Sequence, residues 1–128
     1  MSAAELLVDA RAQVRQALTG MDCGVDYTLR ADFPRGAVRG NTVVWGEYAN
    51  TATDCPVVDR IAFQVDIYAA DRQSRQALSQ GVNAALTGLG LRREYASADL
   101  FEDTGPGWYC KRYRFGRRVD KRSMRLID

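Results

Sequence analysis

The stretch Val57-Val58-Asp59-Arg60-Ile61-Ala62-Phe63-Gln64-Val65-Asp66-Ile67-Tyr68, with the segment Arg72 to Leu89 behind it, decides the fold. In the first part Ile61, Phe63, Val65 and Ile67 alternate with mostly polar residues, which is the pattern of a half-buried strand. In the second part apolar residues recur every three or four positions, as in an amphipathic helix: Leu78, Val82, Ala85, Leu86 and Leu89. Because neither element can bury its apolar face alone, we predict that they pack together.

Both ends of this second helix carry recognisable signals. Asp71 precedes it, and its carboxylate can accept a hydrogen bond from a free amide of the first turn. Gly90 follows the last apolar position, where a left-handed residue often ends a helix, and Leu91 can close over the end.

The residues before Val57 predict one helix and two strands. Ser2 and Glu5 have capping-box spacing at the start of an amphipathic helix from Ala3 to Thr19. Short strands are expected at Cys23 to Leu29 and at Thr42 to Ala49, the latter rich in β-branched and aromatic residues. The intervening Arg30 to Thr42 contains three arginines, Pro34 and two glycines, and predicts an exposed basic loop or long hairpin. It either binds a partner, as loops of this length often do, or is a disordered insertion.

The remaining connections favour antiparallel pairing. The polar segment Asn50 to Pro56 is short enough to join its two flanking strands as a hairpin. After Gly90, Leu91 to Phe101 and Trp108 to Gly116 flank Gly105-Pro106-Gly107, which predicts a second hairpin. The fold class is therefore α+β, in the order α-β-β-β-α-β-β, with a mainly antiparallel sheet and two helices packed on one of its faces.

Positive charge is concentrated near the C-terminus. The net charge of the 128 residues is +2, but these basic residues all follow Gly107: Lys111, Arg112, Arg114, Arg117, Arg118, Lys121, Arg122 and Arg125. Asp120 and Asp128 oppose them, and the rest of the chain is net acidic. We predict a single domain over residues 1–116 and a basic C-terminal arm over residues 117–128. The basic C-terminal end either contacts nucleic acid or an acidic partner surface, or is a solvated strand face with a frayed tail.

The composition argues against an enzyme. The sequence has no histidine, which excludes Ser-His-Asp and Cys-His machinery and most zinc or iron sites. The three cysteines are widely spaced, as expected of packing residues in a reducing compartment. We predict no catalytic, cofactor-binding or metal-binding residues and no cofactor. The longest apolar run is too short to cross a membrane, so no membrane association is expected.

Three local patterns point to a family: the strand Arg60-Ile-Ala-Phe-Gln-Val-Asp-Ile-Tyr-Ala, the helix end Ala84-Ala-Leu-Thr-Gly-Leu-Gly-Leu, and the run Asp99-Leu-Phe-Glu-Asp-Thr-Gly-Pro-Gly-Trp-Tyr-Cys-Lys-Arg-Tyr-Arg-Phe. With the order of elements, they resemble the tail terminator, or tail completion, proteins of long-tailed bacteriophages, the class of the phage lambda terminator. The resemblance implies a structural protein that forms a ring, usually hexameric, on the end of the tail tube, stops tube polymerisation and joins the neck. Its place would be the tail–neck region of the virion, after assembly in the host cytoplasm.

The resemblance also implies the partners. These are other copies of the chain, the tail tube protein and a head completion or neck protein, while viral DNA passes through the ring without sequence-specific binding. In this family contacts between subunits come from sheet edges, loops and terminal segments. Here the expected interface residues are Arg35, Arg39, Asn50, Asp54, Arg117, Arg118, Arg122, Arg125, Leu126 and Ile127.

Two other functions remain open at this stage. A head completion or stopper protein of the neck would share the small size and ring assembly, but would bind the portal side. A small nucleic-acid-binding module could use Arg35, Arg39, Arg112, Arg114 and the basic C-terminal residues. Such a module would bind DNA with a steep dependence on salt concentration.

Overall fold

A computed structural model describes residues 3–31, 40–52, 58–98, 109–120 and 125–127 of the chain. Its elements, in chain order, are α1 (Ala3–Thr19), β1 (Thr28–Ala31), β2 (Thr42–Ala52), β3 (Val58–Ala69), α2 (Arg72–Gly88), β4 (Arg92–Ala96), β5 (Tyr109–Asp120) and β6 (Arg125–Ile127). The predicted capping box at Ser2, most of the basic loop, and the Gly105-Pro106-Gly107 turn lie outside the described residues.

The sheet has six strands in the order β1-β2-β3-β5-β4, and β6 pairs with the far end of β5. Both predicted hairpin pairings, β2 with β3 and β4 with β5, are confirmed as antiparallel. The central pairing of β3 with β5 is also antiparallel and runs from Val58 opposite Asp120 to Ala69 opposite Tyr109. The α+β class and the order of elements are therefore confirmed, with β6 as an additional strand.

The sheet is mixed, because β1 pairs with β2 in parallel. The first residue of β1, Thr28, lies opposite the first residue of β2, Thr42, and Ala31 lies opposite Trp45, so both strands run in the same direction. The first strand is shorter than predicted and lies further along the chain, since Cys23 to Leu29 was expected and β1 covers Thr28–Ala31. Gly24 has a φ of 78°, a left-handed conformation that interrupts an extended strand, and β1 starts only at Thr28. Val25 and Tyr27 still pack against the core, although they lie in irregular backbone.

Both helices cover one face of the sheet, as predicted. Val14 and Leu18 of α1 and Leu78, Val82 and Leu86 of α2 are buried on this helix face. They pack in one cluster with strand residues that include Val43, Trp45, Ile61, Phe63, Val65, Ile67, Tyr113 and Phe115. The alternation in β3 thus predicted which residues face the helices. The prediction of a half-buried strand was wrong, because Ala62, Gln64, Asp66 and Tyr68 on the opposite face are also buried.

The predicted signals at both ends of α2 are confirmed. The Asp71 carboxylate accepts a hydrogen bond from the Ser74 amide at 2.7 Å. At the other end the amide of Gly90 donates to Thr87 and the amide of Leu91 donates to Leu86. Gly90 has a φ of 89°, and Leu91 is buried, so the end is a Schellman motif with its hydrophobic contact.

The C-terminal residues differ from the prediction. Residues 117–128 were expected to form an arm outside the domain, but Arg117–Asp120 complete β5 and Arg125–Ile127 form β6. Arg118 lies opposite Ile127 in this last pairing. Similarly, Asn50 was expected in a turn but lies in β2, opposite Ile61 of β3. Strand pairing with β3 and β5 provides backbone hydrogen-bond partners that the local sequence does not reveal.

Candidate interaction surfaces

The sheet face opposite the helices, which we call the polar face, contains a buried ion pair. The Asp66 side chain is 0% exposed, and the Arg112 guanidinium binds both its oxygens, with Nε to Oδ1 at 2.9 Å and a terminal nitrogen to Oδ2 at 3.0 Å. Asp66 and Arg112 lie directly opposite each other in β3 and β5, so the sheet register itself sets this two-pronged geometry. Hydrogen bonding to Asp66, together with its charge, raises the pKa of Arg112 against the opposing effect of burial.

The next cross-strand pair on the polar face extends toward the sheet edge. Arg114 donates from Nε to the Gln64 side-chain oxygen at 3.1 Å. Its guanidinium also lies 5.0 Å from the ring centre of Tyr95 on β4, which is cation–π distance. Tyr95 is nevertheless 45% exposed. An exposed aromatic ring held in place by an arginine is a feature common at protein interfaces.

A second ion pair on the polar face crosses a whole strand. Glu94 is the extra residue of a bulge in β4, where the register shifts between Arg93 and Tyr95. Its carboxylate passes over Gly116 of β5 and accepts hydrogen bonds from Arg60 of β3. A β-carbon on Gly116 would run into this carboxylate and would lie 2.9 Å from the Ile61 carbonyl oxygen. A glycine at this strand position therefore permits the close approach of Glu94.

The sheet ends in two edges of different form. All five residues of β4 are exposed, and within the described ranges no strand pairs with its outer side. At the opposite edge β1 covers only Thr42–Trp45 of β2. From Gly46 to Ala52, the outer side of β2 has no partner strand among the described residues. Exposed strand edges present unpaired amides and carbonyls, and they readily add a strand from another chain.

An open groove of about 570 Å³ lies between α1 and the edge formed by β1 and β2. Its described lining is Arg11, Ala12, Arg15, Thr19, Leu29, Ala31 and Trp45. Arg11 lies 5.6 Å from the ring centre of Trp45 and forms an ion pair of 2.7 Å with Glu47. These cationic and apolar side chains suit contact with another protein surface.

The structure separates the predicted interface residues into several places. Arg117 lies on the helix face and donates to the carbonyl of Gly90 at the end of α2, whereas its neighbour Arg118 is exposed on the polar face. Asn50 lies in β2, while Arg125, Leu126 and Ile127 form β6. Arg35, Arg39, Asp54 and Arg122 lie outside the described residues. Contact of any of these residues with another subunit stays a prediction.

Sequence reasoning missed the residues at the β4 edge. The signal for Glu94 was Gly116, since a glycine within a strand often marks a close approach of another group. Only the sheet order could show which carboxylate approaches it. The sequence placed Tyr95 in a strand but did not indicate on which face of the sheet its ring lies. The bulge at Glu94 changes the alternation of β4.

Two further features are absent from the described part of the chain. No cluster of three or more potential metal ligands is present there. Among the same residues, neither helix is long and apolar enough to cross a membrane.

Comparison with known proteins identifies a shared fold. No protein-family profile matches the sequence, and no curated protein matches it. A chain from a solved structure described as the virion of a native gene transfer agent (GTA) particle is similar, with a TM-score of 0.64 and 21% sequence identity. The match covers 85% of this chain and 92% of that chain. The protein therefore has the fold of a component of a virion particle.

Proposed function

We propose that this chain is a non-enzymatic structural protein of a phage-like virion, which forms a ring on the end of the tail tube. The observation that supports this proposal most strongly is the shared fold, because the match spans 92% of a chain from a GTA virion. The match also covers 85% of this chain, so it extends over most of the fold. The local patterns that resemble phage tail terminators favour the tail end as the position in the particle.

The surface chemistry is compatible with this role. A closed ring needs two different patches on each subunit, so that the contact repeats head to tail around an axis. The β4 edge and the β2 edge lie at opposite sides of the sheet and differ in strand length and charge. Two such edges on one chain provide a pair of unlike patches.

The proposed ring, most simply a hexamer, would terminate polymerisation of the tail tube protein and present its other surface to a head completion or neck protein. Viral DNA would pass through the lumen without sequence-specific binding, and the site of action would be the tail–neck region of the virion. No membrane takes part in this role.

Electron microscopy can test the proposal with self-polymerising tail tube protein and the purified chain. We expect an additional ring at one end of each tube. Binding to the portal side instead, with bare tube ends, would support a stopper protein of the neck. Bare tubes without any portal binding would contradict both structural roles.

A DNA-binding module is the second candidate, supported by the charge of the polar face. In the rows of this face, the arginines outnumber the acidic residues Asp66, Glu94 and Asp120 among the described residues: Arg60, Arg92, Arg112, Arg114 and Arg118. Arginines on a sheet surface can contact phosphates, and each neutralised phosphate steepens the dependence on salt. A salt titration of DNA affinity tests this function. A steep linear decrease of log affinity with log salt would support it, and absent binding at low salt would exclude it.

A further inference from the structure

The strand registers place residues of the two sheet edges in common rows. Tyr95 lies opposite Arg114, which lies opposite Gln64, which lies opposite Gly46, so one row runs from β4 to β2. The adjacent row runs from Arg93 through Phe115 and Phe63 to Glu47, and the next from Arg92 through Gly116 and Ala62 to Ala49. If two copies lie side by side with their rows continued, β4 of one copy meets β2 of the next.

The strand directions of this arrangement favour pairing. β4 runs antiparallel to β5, β5 antiparallel to β3, and β3 antiparallel to β2. β4 of one copy would consequently run antiparallel to β2 of the next, and the sheet would continue across the joint without a change of pattern.

The unpaired rows of the β2 edge also correspond to rows that β4 occupies at the other edge. At the β2 edge, β1 ends with Ala31 opposite Trp45, and the outer side of β2 is unpaired, among described residues, from Gly46 onward. At the other edge, β4 occupies the rows of Gly46, Glu47 and Ala49, and ends with Ala96 in the row of Trp45. Only residues 92–95 of β4 would therefore face unpaired rows of the β2 edge, because Ala31 of β1 already occupies the row into which Ala96 falls.

Each edge contains one bulge, and the two bulges compensate. The β4 bulge lies between Arg93 and Tyr95, and the β2 bulge lies between Glu47 and Ala49. Both adjoin the row that contains Phe63. Residues 92–96 of β4 and 45–49 of β2 consequently span the same four rows with five residues each, so the ends of the two segments correspond. With Arg93 opposite Glu47, Glu94 is the extra residue of one strand and Tyr48 that of the other. Bulges normally hinder edge pairing, and here they restrict it to a partner with a matching irregularity.

The side chains at the ends of the rows are complementary. Arg93 and Glu47 end the same row on the helix face and have opposite charges; the Glu47 side chain is 38% exposed. Glu47 already binds Arg11, but a carboxylate has acceptor positions for a second cation. On the polar face exposed Tyr95 ends the row of Gly46, which is a buried glycine without a side chain.

We infer that the joint between neighbouring copies is an antiparallel pairing of β4 of one copy with the Gly46–Ala49 segment of β2 of the next, in which Arg93 of the first copy meets Glu47 of the second. This inference rests on the proposed ring and specifies its contact. Repeated around an axis, the pairing joins all subunits through one continuous sheet, because every copy offers both edges.

Disulfide trapping tests the joint directly. Within one chain β2 and β4 are three strand spacings apart, about 14 Å, so cysteines at 47 and 93 cannot bond to each other in the same copy. We would oxidise the Glu47→Cys/Arg93→Cys variant on tube ends and analyse it by non-reducing electrophoresis. The single variants Glu47→Cys and Arg93→Cys show whether an introduced cysteine forms a disulfide with a native cysteine. The Arg30→Cys/Arg93→Cys variant is the matched control, because Arg30 is an exposed residue of β1, the other strand of that edge.

The inference predicts a ladder of covalent multimers for the 47/93 pair and none for the 30/93 pair. Circular dichroism of both variants first verifies that they fold. Rings without a 47/93 ladder, or with a 30/93 ladder instead, would overturn the joint while the ring function stands. A chain that neither caps tubes nor forms multimers would overturn both the joint and the ring function. Bare tube ends in the micrographs would show that the ring function itself had failed.

Discussion

Glu94 on the edge strand binds Arg60 two strands away, by passing over Gly116 of the strand between them. The Nε of Arg60 lies 3.2 Å from one carboxylate oxygen of Glu94, and a terminal nitrogen binds the other. The pair therefore links β4 to β3 through side chains, in addition to the backbone pairing of each strand with β5. Since β4 forms the edge of the sheet, this link fixes the edge that we assign to contact between copies.

Replacement of Gly116 tests how closely these strands pack. Gly116→Ala should lower the free energy of unfolding by about 2 kcal/mol, because the new β-carbon would lie 2.9 Å from the backbone carbonyl of Ile61 and would displace Glu94. Urea denaturation measures the change. Gly88→Ala is the matched control, since a β-carbon there meets nothing within 4 Å, and it should be neutral or slightly stabilising. Equal stability of Gly116→Ala and the unmodified chain would contradict the packing described.

Replacing one member of the buried pair of Asp66 and Arg112 should lower the free energy of unfolding much more than replacing both. Arg112→Met should cost about 3 kcal/mol because it leaves the fully buried Asp66 carboxylate unpaired; this is the lower part of the usual range, since Arg112 keeps 28% exposure. The double variant Asp66→Leu/Arg112→Met should recover most of that loss. Chemical denaturation of the four proteins measures the coupling, with exposed Arg118→Met as the control. Additive losses would show that the pair is not coupled.

The cap of α2 predicts a dependence on acidic pH. The Ser74 amide and hydroxyl, which bind the Asp71 carboxylate, lower the pKa of Asp71 below its ordinary 3.8. The cap therefore contributes its full stabilisation above pH 3.8, and this contribution is lost as the pH falls through the lowered pKa of Asp71. Asp71→Ala should reduce the urea midpoint at pH 7, and Asp71→Ser should reduce it less because serine also caps. The difference between Asp71→Ser and the unmodified chain should shrink below about pH 4. A constant difference at pH 7 and pH 3 would be inconsistent with this cap.

Tyr27 predicts a dependence on alkaline pH. Its hydroxyl donates to the carbonyls of Leu18 and Thr19 and so connects the segment before β1 with the end of α1. Burial raises the pKa of Tyr27 above its ordinary 10.0. Its contribution is therefore fully present below pH 10 and is lost as the pH rises through the raised pKa.

Tyr27→Phe should consequently cost about 1 kcal/mol at neutral pH. Thermal unfolding should show that the stability gap between the two proteins narrows above about pH 10. Tyr95→Phe, at an exposed position, should leave neutral stability nearly unchanged. A gap that widens at high pH would contradict the role of the Tyr27 hydroxyl.

Local patterns predicted the elements whose signals are contained in neighbouring residues. The helix-facing residues of β3, the stripe of α2, and the caps at Asp71 and Gly90 all agree with the structure, although β3 is buried on its other face as well. In each case the energetic cause, burial of one face or satisfaction of free amides, acts within a few residues. The same reasoning predicted α1 from Ala3 to Thr19.

Features that depend on distant parts of the chain were not predicted. The parallel pairing of β1, the continuation of β5 to Asp120 and the formation of β6 depend on neighbours that the sheet order brings together. The rows that join Arg93 to Glu47 require two bulges, each visible only in a paired strand. The candidate joint consequently emerges from the registers, whereas the sequence directed attention to loops and the C-terminus.

The most direct test of the proposed function is the length distribution of tail tubes grown with and without this chain. Purified tube protein alone should continue to polymerise without a length limit. Addition of the chain during growth should halt elongation once enough copies are present to place one ring on each tube end. Electron micrographs of the same samples should show one additional ring per stopped end. Tubes that continue to lengthen at the same rate, with bare ends, would contradict the assignment as a tail terminator.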